Sequence, residues 1–277
     1  MNNDNFGKVE YYTLKDEKNL MYKRDRQTKI SVFTPPDYDE SKVYPLLVMF
    51  DGQNLYKRAN GSEPNKDCHG SWSVDVAVCE RQKIGLTAPI IVGIDNSDGY
   101  RDQELTMSQN FGDFGELEVS EDFLDGKLED LGRFLVETVL PFVRQRYSIS
   151  TKREDIAVSG SSSGGLASYY LGLYYNDIFG FIGAFSPANA IFSDKPWQDF
   201  YKQKDFSAYR PQIYVYSGFN DGFIEDDLIK SAKKIRELEN YGYDKNDISE
   251  RYIEYALHNE SFWRAVFPDF LNRFLNR

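Results

Sequence analysis

Short apolar runs alternate along the chain with longer amphipathic stretches. Val9–Leu14 and Lys29–Thr34 alternate apolar and polar residues as antiparallel strands do, and Pro35–Pro36 closes the second. Six later runs are more continuously apolar, which is typical of parallel strands covered on both faces. These runs are Tyr44–Phe50, Pro89–Ile94, Asp155–Ser159, Phe181–Phe185, Gln212–Ser217 and Arg251–Leu257.

Helices are predicted between the strands, at Ser71–Gln82, Glu121–Tyr147, Ser162–Asn176, Glu225–Tyr241 and Ser261–Leu275. Pro141 should kink or restart the second helix. The stretch Asp95–Ser120 is irregular, either as a loop over a ligand-binding edge or as a solvated loop. This alternation predicts an α/β fold with a mostly parallel central sheet and helices on both faces. We expect residues 1–277 to form one domain.

Composition and charge exclude several classes of partner. The net charge of −11 disfavours a nucleic acid or an anionic membrane, because both would repel such a surface. No run approaches the roughly 18 apolar residues of a membrane span, and Met1–Glu10 lacks the apolar core of a signal peptide. A cytoplasmic protein is the resulting expectation. Cys68 and Cys79 are the only cysteines, so no disulfide framework is indicated.

The segment Gly160-Ser161-Ser162-Ser163-Gly164-Gly165 has the spacing of a nucleophile elbow. It follows an apolar strand and precedes a helical segment, and the pattern G-x-S-x-G places a serine hydroxyl above the sheet on a sharp turn. Ser162 is therefore the predicted nucleophile. Ser161 and Ser163 fit less well, because neither has glycine two positions away on both sides. A Ser/Gly-rich helix cap is the structural alternative.

Only two histidines, His69 and His258, can serve as the base. His258 directly follows the last predicted strand and precedes the last helix, which is the place of the base in an α/β-hydrolase. His69 lies in a polar loop and follows no strand, so we interpret it as a surface residue.

The acid should lie on the loop after the preceding strand, at Gly218-Phe219-Asn220-Asp221. Asp221 would orient the histidine and stabilise its imidazolium. Three nearby acids, Glu225, Asp226 and Asp227, are alternatives, although a helix N-terminus also favours such a cluster. The resulting chain order Ser, Asp, His is that of the α/β-hydrolases.

An oxyanion hole needs two backbone donors. The N–H of Ser163, next to the nucleophile, is one. The second should come from the loop Asp51–Asn54, where Gly52 allows a tight turn that leaves the N–H of Gln53, or of Gly52 itself, pointing inward. A strand-to-helix turn without a special role is the alternative.

With these residues placed, the chain resembles the putative-esterase family of α/β-hydrolases from about Lys29 to Phe274. This family includes feruloyl and acetyl xylan esterases, esterase D and enterochelin esterases. The matching motifs are YPLLVMFDGQNLY, IIVGIDN, LPFVRQRYSI, SGSSSGGLASYYLGLYYNDIFGFIGAFSP, GFND and HNESFW, with Trp263 as the last residue. Ser163 replaces a frequent Met of the family, and Asp51 stands where several feruloyl esterases have His.

The resemblance implies a serine carboxylic-ester hydrolase that acts through an acyl-enzyme and needs no cofactor. No H-E-x-x-H or paired-Cys motif indicates a metal either. The implied substrate is a carbohydrate-linked, aryl or other small ester. Trp72 and Arg101 are implied near the active-site mouth, and with Gly52 they are the predicted substrate contacts. Alternatively, Trp72 is a core residue of its helix, and Arg101 pairs with Glu104.

Three other functions fit the same motifs. An acyltransferase related to the mycolyltransferases would use the same catalytic groups, with an alcohol in place of water. A trilactone-siderophore esterase would differ only in its pocket. A non-catalytic ligand-binding protein is disfavoured, because such a protein would normally have lost a member of the triad. The sequence does not determine the oligomeric state.

Overall fold

The structure, a computed structural model, describes residues 5–15, 27–63, 70–97, 99–114, 125–220 and 225–276. In this part of the chain eight strands form one sheet in the order β1-β2-β4-β3-β5-β6-β7-β8. The strands are β1 Lys8–Lys15, β2 Gln27–Thr34, β3 Leu46–Phe50, β4 Ile90–Ile94, β5 Ile156–Ser161, β6 Phe181–Phe185, β7 Gln212–Asn220 and β8 Ile248–Leu257.

The direction of the strands follows their hydrophobic pattern. β1 pairs with β2, and β2 with β4, in antiparallel register, whereas β3 to β8 run parallel. Every residue of β3, β4, β5 and β6 is buried, which explains the continuous apolar runs. The predicted α/β fold with a mostly parallel sheet is confirmed.

Helices cover both faces of the sheet. They are α1 Val74–Lys83, α2 Arg101–Glu104, α3 Leu128–Phe134, α4 Leu140–Arg144, α5 Ser163–Tyr174, α6 Asp194–Gln203, α7 Glu225–Arg236 and α8 Glu260–Leu275. One core cluster joins the sheet to α3, α4, α5, α6 and α7, and a second joins its other face to α1 and α8. These two clusters form the hydrophobic core, as expected for a doubly covered sheet.

In two helices the structure differs from the sequence prediction by three or more residues at the start, or in the winding of the helix. α1 begins at Val74 rather than Ser71, because Ser73 has a φ of 50° and cannot continue a right-handed helix. The predicted helix Glu121–Tyr147 starts outside the described residues. Its described part changes to π-helical winding over Leu135–Val139, and α winding resumes in α4 with Pro141 in its first turn. Proline has no backbone N–H to donate, and none is needed in the first turn of a helix, so the helix restarts at Pro141 as predicted.

The stretch 95–120 is not simply solvated where the structure describes it. It contains α2, and Leu105, Thr106 and Met107 behind that helix are buried. Phe111 packs edge-on against Trp197 of α6 with ring centroids 5.0 Å apart. The sequence prediction did not include α6, although Trp197 and Phe200 lie three residues apart on its buried side. This stretch therefore rests on the α5–α6 side of the sheet and brings α2 to the carboxyl edge.

Candidate active site

Ser162 lies on a strained turn between β5 and α5. Its backbone angles are φ 58° and ψ −125°, a region that residues with a side chain rarely occupy and that costs on the order of 1–3 kcal/mol. Three backbone hydrogen bonds hold it there: its N–H donates to O of Phe185 (3.0 Å), and its carbonyl accepts from N of Leu166 (3.0 Å) and of Ala188 (3.2 Å). The surrounding structure thus maintains the geometry that exposes a nucleophile at the sheet edge.

The two glycines around Ser162 lie in close contacts, and only that of Gly160 is with backbone atoms. A Cβ added at Gly160 would lie 2.6 Å from the carbonyl oxygen of Gly164. A Cβ added at Gly164 would lie 3.1 Å from Oδ2 of Asp51. The elbow therefore brings β5, α5 and the loop after β3 within contact distance of one another.

The loop after β3 makes a single 3-10 turn over Gly52–Asn54. Asp51, which precedes it, has left-handed backbone angles (φ 56°, ψ 48°). Gly52 packs so closely on β4 that an added Cβ would lie 2.8 Å from N of Ile94. Within the described part of the chain, neither the backbone N–H of Gln53 nor that of Ser163 has a protein acceptor. Both predicted oxyanion donors are thus available to a ligand.

Asp51 forms a buried ion pair with Arg101. Arg101 donates from Nε to Oδ1 (2.7 Å) and from Nη2 to Oδ2 (2.8 Å), and Nδ2 of Asn96 donates to Oδ1 (2.6 Å). Burial alone would raise the pKa of the Asp51 carboxyl, but the charge and hydrogen bonds of Arg101 outweigh it and hold this pKa below its ordinary value. Burial would lower the pKa of the Arg101 guanidinium, but the charge and hydrogen bonds of Asp51 outweigh burial and raise this pKa. Both groups are therefore ionised at neutral pH.

Two further contacts connect the loops of the site. Oγ of Ser163 donates to Oδ1 of Asp102 (3.1 Å), the residue after Arg101 in α2. Nδ2 of Asn54 donates to Oε1 of Glu260 (3.3 Å), a buried residue two positions after His258. The elbow is consequently linked to α2, and the loop after β3 is linked to the segment that carries the histidine.

His258 directly follows β8 and is half-buried. Its ring meets that of Trp263 edge-on, with centroids 5.2 Å apart. Nε1 of Trp263 donates to Oγ of Ser186 (3.1 Å), the residue after β6, and Phe185 at the end of β6 accepts the N–H of Ser162. The structure therefore brings the predicted base and nucleophile to the same edge of the sheet.

The predicted acid, Asp221, lies outside the described residues, as do His69 and Cys68. β7 is described as far as Asn220, which pairs with Leu257 of β8 after an irregularity between Gly218 and Asn220. The end of β7 is therefore in register with the residue that precedes His258.

The predicted substrate contacts occupy different environments. Trp72 is only 2 % exposed, stacks on Trp263 (5.6 Å between centroids) and meets Phe185 edge-on. This position favours the structural alternative, although Trp72 precedes α1 rather than lying in it. Gly52, in the loop after β3, is buried against β4. Arg101 is partly exposed, and its ion-pair partners are Asp51 and Asp102 rather than Glu104.

Sequence reasoning did not identify the partners of Arg101 or the roles of Asp102, Asn96 and Glu260. One signal was available: Asp51 directly follows β3, and Asn96 follows the neighbouring parallel strand β4 by two residues. The carboxyl ends of adjacent parallel strands meet at one edge. This placement alone could have suggested a contact between the two loops.

Among the described residues, no group of three or more His, Cys, Asp or Glu side chains is arranged to hold a metal ion. In the same part of the chain, no helix is long and apolar enough to cross a bilayer.

The fold and the elbow define an α/β-hydrolase, and comparison with known families specifies which kind. The family model described as "Putative esterase" matches residues 23–274. The chain therefore belongs to this esterase family, as its sequence motifs indicated, and it is an esterase.

Solved structures agree on the fold. A ferulic acid esterase of the anaerobic fungus Anaeromyces mucronatus superimposes with a TM-score of 0.66 at 20 % identity, covering 97 % of this chain and 89 % of that one. Siderophore hydrolase EstA of Aspergillus nidulans gives a TM-score of 0.71 at 16 % identity, with coverages of 96 % and 94 %. The enterobactin esterase of Shigella flexneri gives 0.65 at 17 % identity, covering 97 % of this chain and 58 % of that one.

Proposed function

We propose that this esterase hydrolyses its substrate through an acyl-enzyme on Ser162, with His258 as base and Asp221 as acid. The observation that carries the proposal is the strained backbone of Ser162 (φ 58°), which three hydrogen bonds hold in place. Among the described residues, the backbone N–H groups of Gln53 and Ser163 find no protein acceptor. Backbone strain of this kind clusters at active sites, where the surrounding structure holds it in place.

The chemistry follows from these positions. His258 takes the hydroxyl proton as Oγ of Ser162 attacks the ester carbonyl, and the N–H groups of Gln53 and Ser163 stabilise the oxyanion. Collapse of this intermediate breaks the bond to the alcohol, which leaves with the proton from His258. Water then attacks the acyl-enzyme with the same base, releasing the acid and restoring Ser162.

Two observations support the other members of the triad. His258 follows β8, and Trp263 connects its ring to the strand end beside Ser162. The pairing of Asn220 with Leu257 favours Asp221 as the acid, because each of the two paired residues directly precedes a proposed member of the triad. The alternatives for the acid are Glu225, Asp226 and Asp227.

For the substrate we propose an aryl, carbohydrate-linked or other small carboxylic ester. Structures of the same fold are named for ferulic acid, which is an aryl acid, and for siderophores. A trilactone siderophore is therefore the second substrate class to assay, on the same catalytic groups.

The test is hydrolysis of p-nitrophenyl acetate by wild type and by Ser162→Ala. Loss of a triad member lowers kcat by about 10⁴-fold or more, and Ser162→Ala should lose the mass adduct that a p-nitrophenyl phosphonate leaves on the wild type. Ser161→Ala is the matched control, since its hydroxyl is adjacent but lacks the elbow position. Activity retained by Ser162→Ala, or an adduct on another serine, would refute the assignment.

The base and the acid are tested in the same assay. His258→Ala and Asp221→Asn should each reduce kcat by at least about 10³-fold while the melting temperature stays near that of wild type. Glu225→Gln, Asp226→Asn and Asp227→Asn serve as controls, because each removes one neighbouring charge with little change in size. A large loss of kcat in only one of these three variants would identify that residue as the acid.

A further inference from the structure

α2 connects the two proposed oxyanion donors through consecutive side chains. Arg101 binds the carboxylate of Asp51, two residues before Gln53, at 2.7 Å and 2.8 Å. Asp102 accepts the Oγ hydrogen bond of Ser163 at 3.1 Å. Nη1 of Arg101 and Oδ1 of Asp102 are themselves 3.3 Å apart.

We propose that Arg101 and Asp102 form a clamp that fixes the separation of the two oxyanion donors, the backbone N–H groups of Gln53 and Ser163. This inference rests on the proposed function of Ser162. It assigns Arg101 as a positioning residue, which acts through the backbone rather than on the substrate.

The bonding of the guanidinium favours positioning over substrate binding. Nε and Nη2 of Arg101 are used by Asp51, and Nη1 lies within ion-pair distance of Asp102. The planar guanidinium fixes a carboxylate by two parallel bonds, so it defines both the place and the orientation of Asp51. All three nitrogens thus have an acceptor within the protein.

The backbone of Asp51 explains why such a constraint is needed. Its left-handed conformation (φ 56°, ψ 48°) turns the chain from β3 into the 3-10 turn that carries Gln53. Asp tolerates this conformation better than most residues with a side chain, and the contacts of its carboxylate stabilise it here. Asp51 is 5 % exposed, and its carboxylate also accepts a hydrogen bond from the side chain of Asn96. The backbone N–H of Asn96 in turn donates to Oε1 of Gln53 (3.2 Å).

The opposite side of the clamp acts on the elbow. Asp51 lies against the elbow helix, because a Cβ at Gly164 would be 3.1 Å from its Oδ2. Asp102 holds the side chain of Ser163, whose N–H is the other donor. A shift of Arg101 would therefore move the Gln53 donor relative to Ser163, whereas three backbone hydrogen bonds of its own hold Ser162.

The experiment compares Arg101→Met, Arg101→Lys and Asp51→Asn with wild type. Active sites are titrated to completion with a p-nitrophenyl phosphonate, so that kcat is expressed per competent site. We expect Arg101→Met to lose about 10- to 100-fold in kcat with KM within about 3-fold, because a misplaced oxyanion donor weakens transition-state stabilisation much more than substrate binding. Arg101→Lys and Asp51→Asn should lose less, since each keeps part of the contact.

A transition-state analogue gives a readout that a merely structural role would not change. A trifluoromethyl ketone forms a serine hemiketal whose oxyanion occupies the same hole, so its inhibition constant should rise by the same factor as kcat falls. Arg210→Met is the matched control. Arg210 pairs with Asp247 at 3.2 Å and has a side-chain exposure of 35 %, close to the 32 % of Arg101. Its kcat per site should stay within about 2-fold of wild type.

Three results would overturn the clamp. One is an Arg101→Met variant whose kcat per site equals that of wild type while Ser162→Ala is inactive. Another is a rise in KM alone, which would make Arg101 a substrate contact. The third is a loss of kcat without weaker binding of the ketone. Hydrolysis retained by Ser162→Ala would instead refute the proposed function, and the clamp with it. If Arg101→Met does not fold, Arg101→Lys and Asp51→Asn decide the matter by the same criteria.

Discussion

Gly160→Ala tests whether the close approach of β5 and α5 is what the elbow requires. The added Cβ would lie 2.6 Å from the carbonyl oxygen of Gly164 and 2.8 Å from its carbonyl carbon. Ordinary contacts begin near 3.4 Å, so the two backbone segments must separate by about 0.8 Å. Both contacts are backbone atoms, and a side-chain rotation cannot relieve them.

The magnitude follows from this displacement. Overpacking in a well-packed core costs about 1–3 kcal/mol, and a clash between two backbone segments belongs at the upper end, about 3 kcal/mol. For a chain of 277 residues this corresponds to a melting temperature lower by about 5 °C. The same displacement moves Ser162 relative to the oxyanion donors, and a misplacement of this size costs about 100-fold in kcat.

Gly164→Ala is the matched control for stability. Its Cβ would lie 3.1 Å from Oδ2 of Asp51 and 3.4 Å from Cβ of Phe50, and alanine is the better helix former by about 1 kcal/mol. We expect its free energy of unfolding to stay within about 1 kcal/mol of wild type. Thermal and urea unfolding measure both variants, and p-nitrophenyl acetate turnover per titrated site measures the elbow. The reasoning is refuted if Gly160→Ala melts within 2 °C of wild type, an interval set by about 1 kcal/mol, with unchanged turnover.

Two further predictions concern the residues around the triad. Trp263→Phe removes the hydrogen bond to Oγ of Ser186 and part of the contact with His258. We expect kcat to fall about 3- to 10-fold at unchanged KM. A loss of stability without a change in kcat would contradict the positioning role. Asp51→Asn should lower stability at neutral pH. Because Arg101 depresses the pKa of Asp51 below its ordinary 3.8, this contribution is present above pH 3.8 and lost as pH falls through the lower, folded-state value. Melting temperatures of wild type and variant should therefore differ by a constant amount from pH 8 to 5 and converge at more acidic pH; a difference that already disappears near pH 6 would contradict it.

Several features of the site could be predicted because short-range patterns encode them. The elbow is a contiguous motif between an apolar strand and a helix, and Gly160 reflects a contact with Gly164, four residues away. The place of His258 follows from the last apolar run. Trp197, Phe200 and Tyr201 of α6 also lie at helical spacing opposite a charged face, so this helix too had a short-range signal, although the sequence prediction did not include it.

The sequence by itself determined the α/β class, the order of the proposed catalytic residues and the esterase family, because local periodicity and contiguous motifs carry this information. Only the tertiary structure decided that Arg101 pairs with Asp51, fifty residues away, rather than with Glu104 in its own helix. It also decided that Trp72 is buried against Trp263. Such contacts depend on which strand ends become neighbours in the sheet. The order that places β4 beside β3 is a property of the tertiary structure, not of any local stretch of sequence.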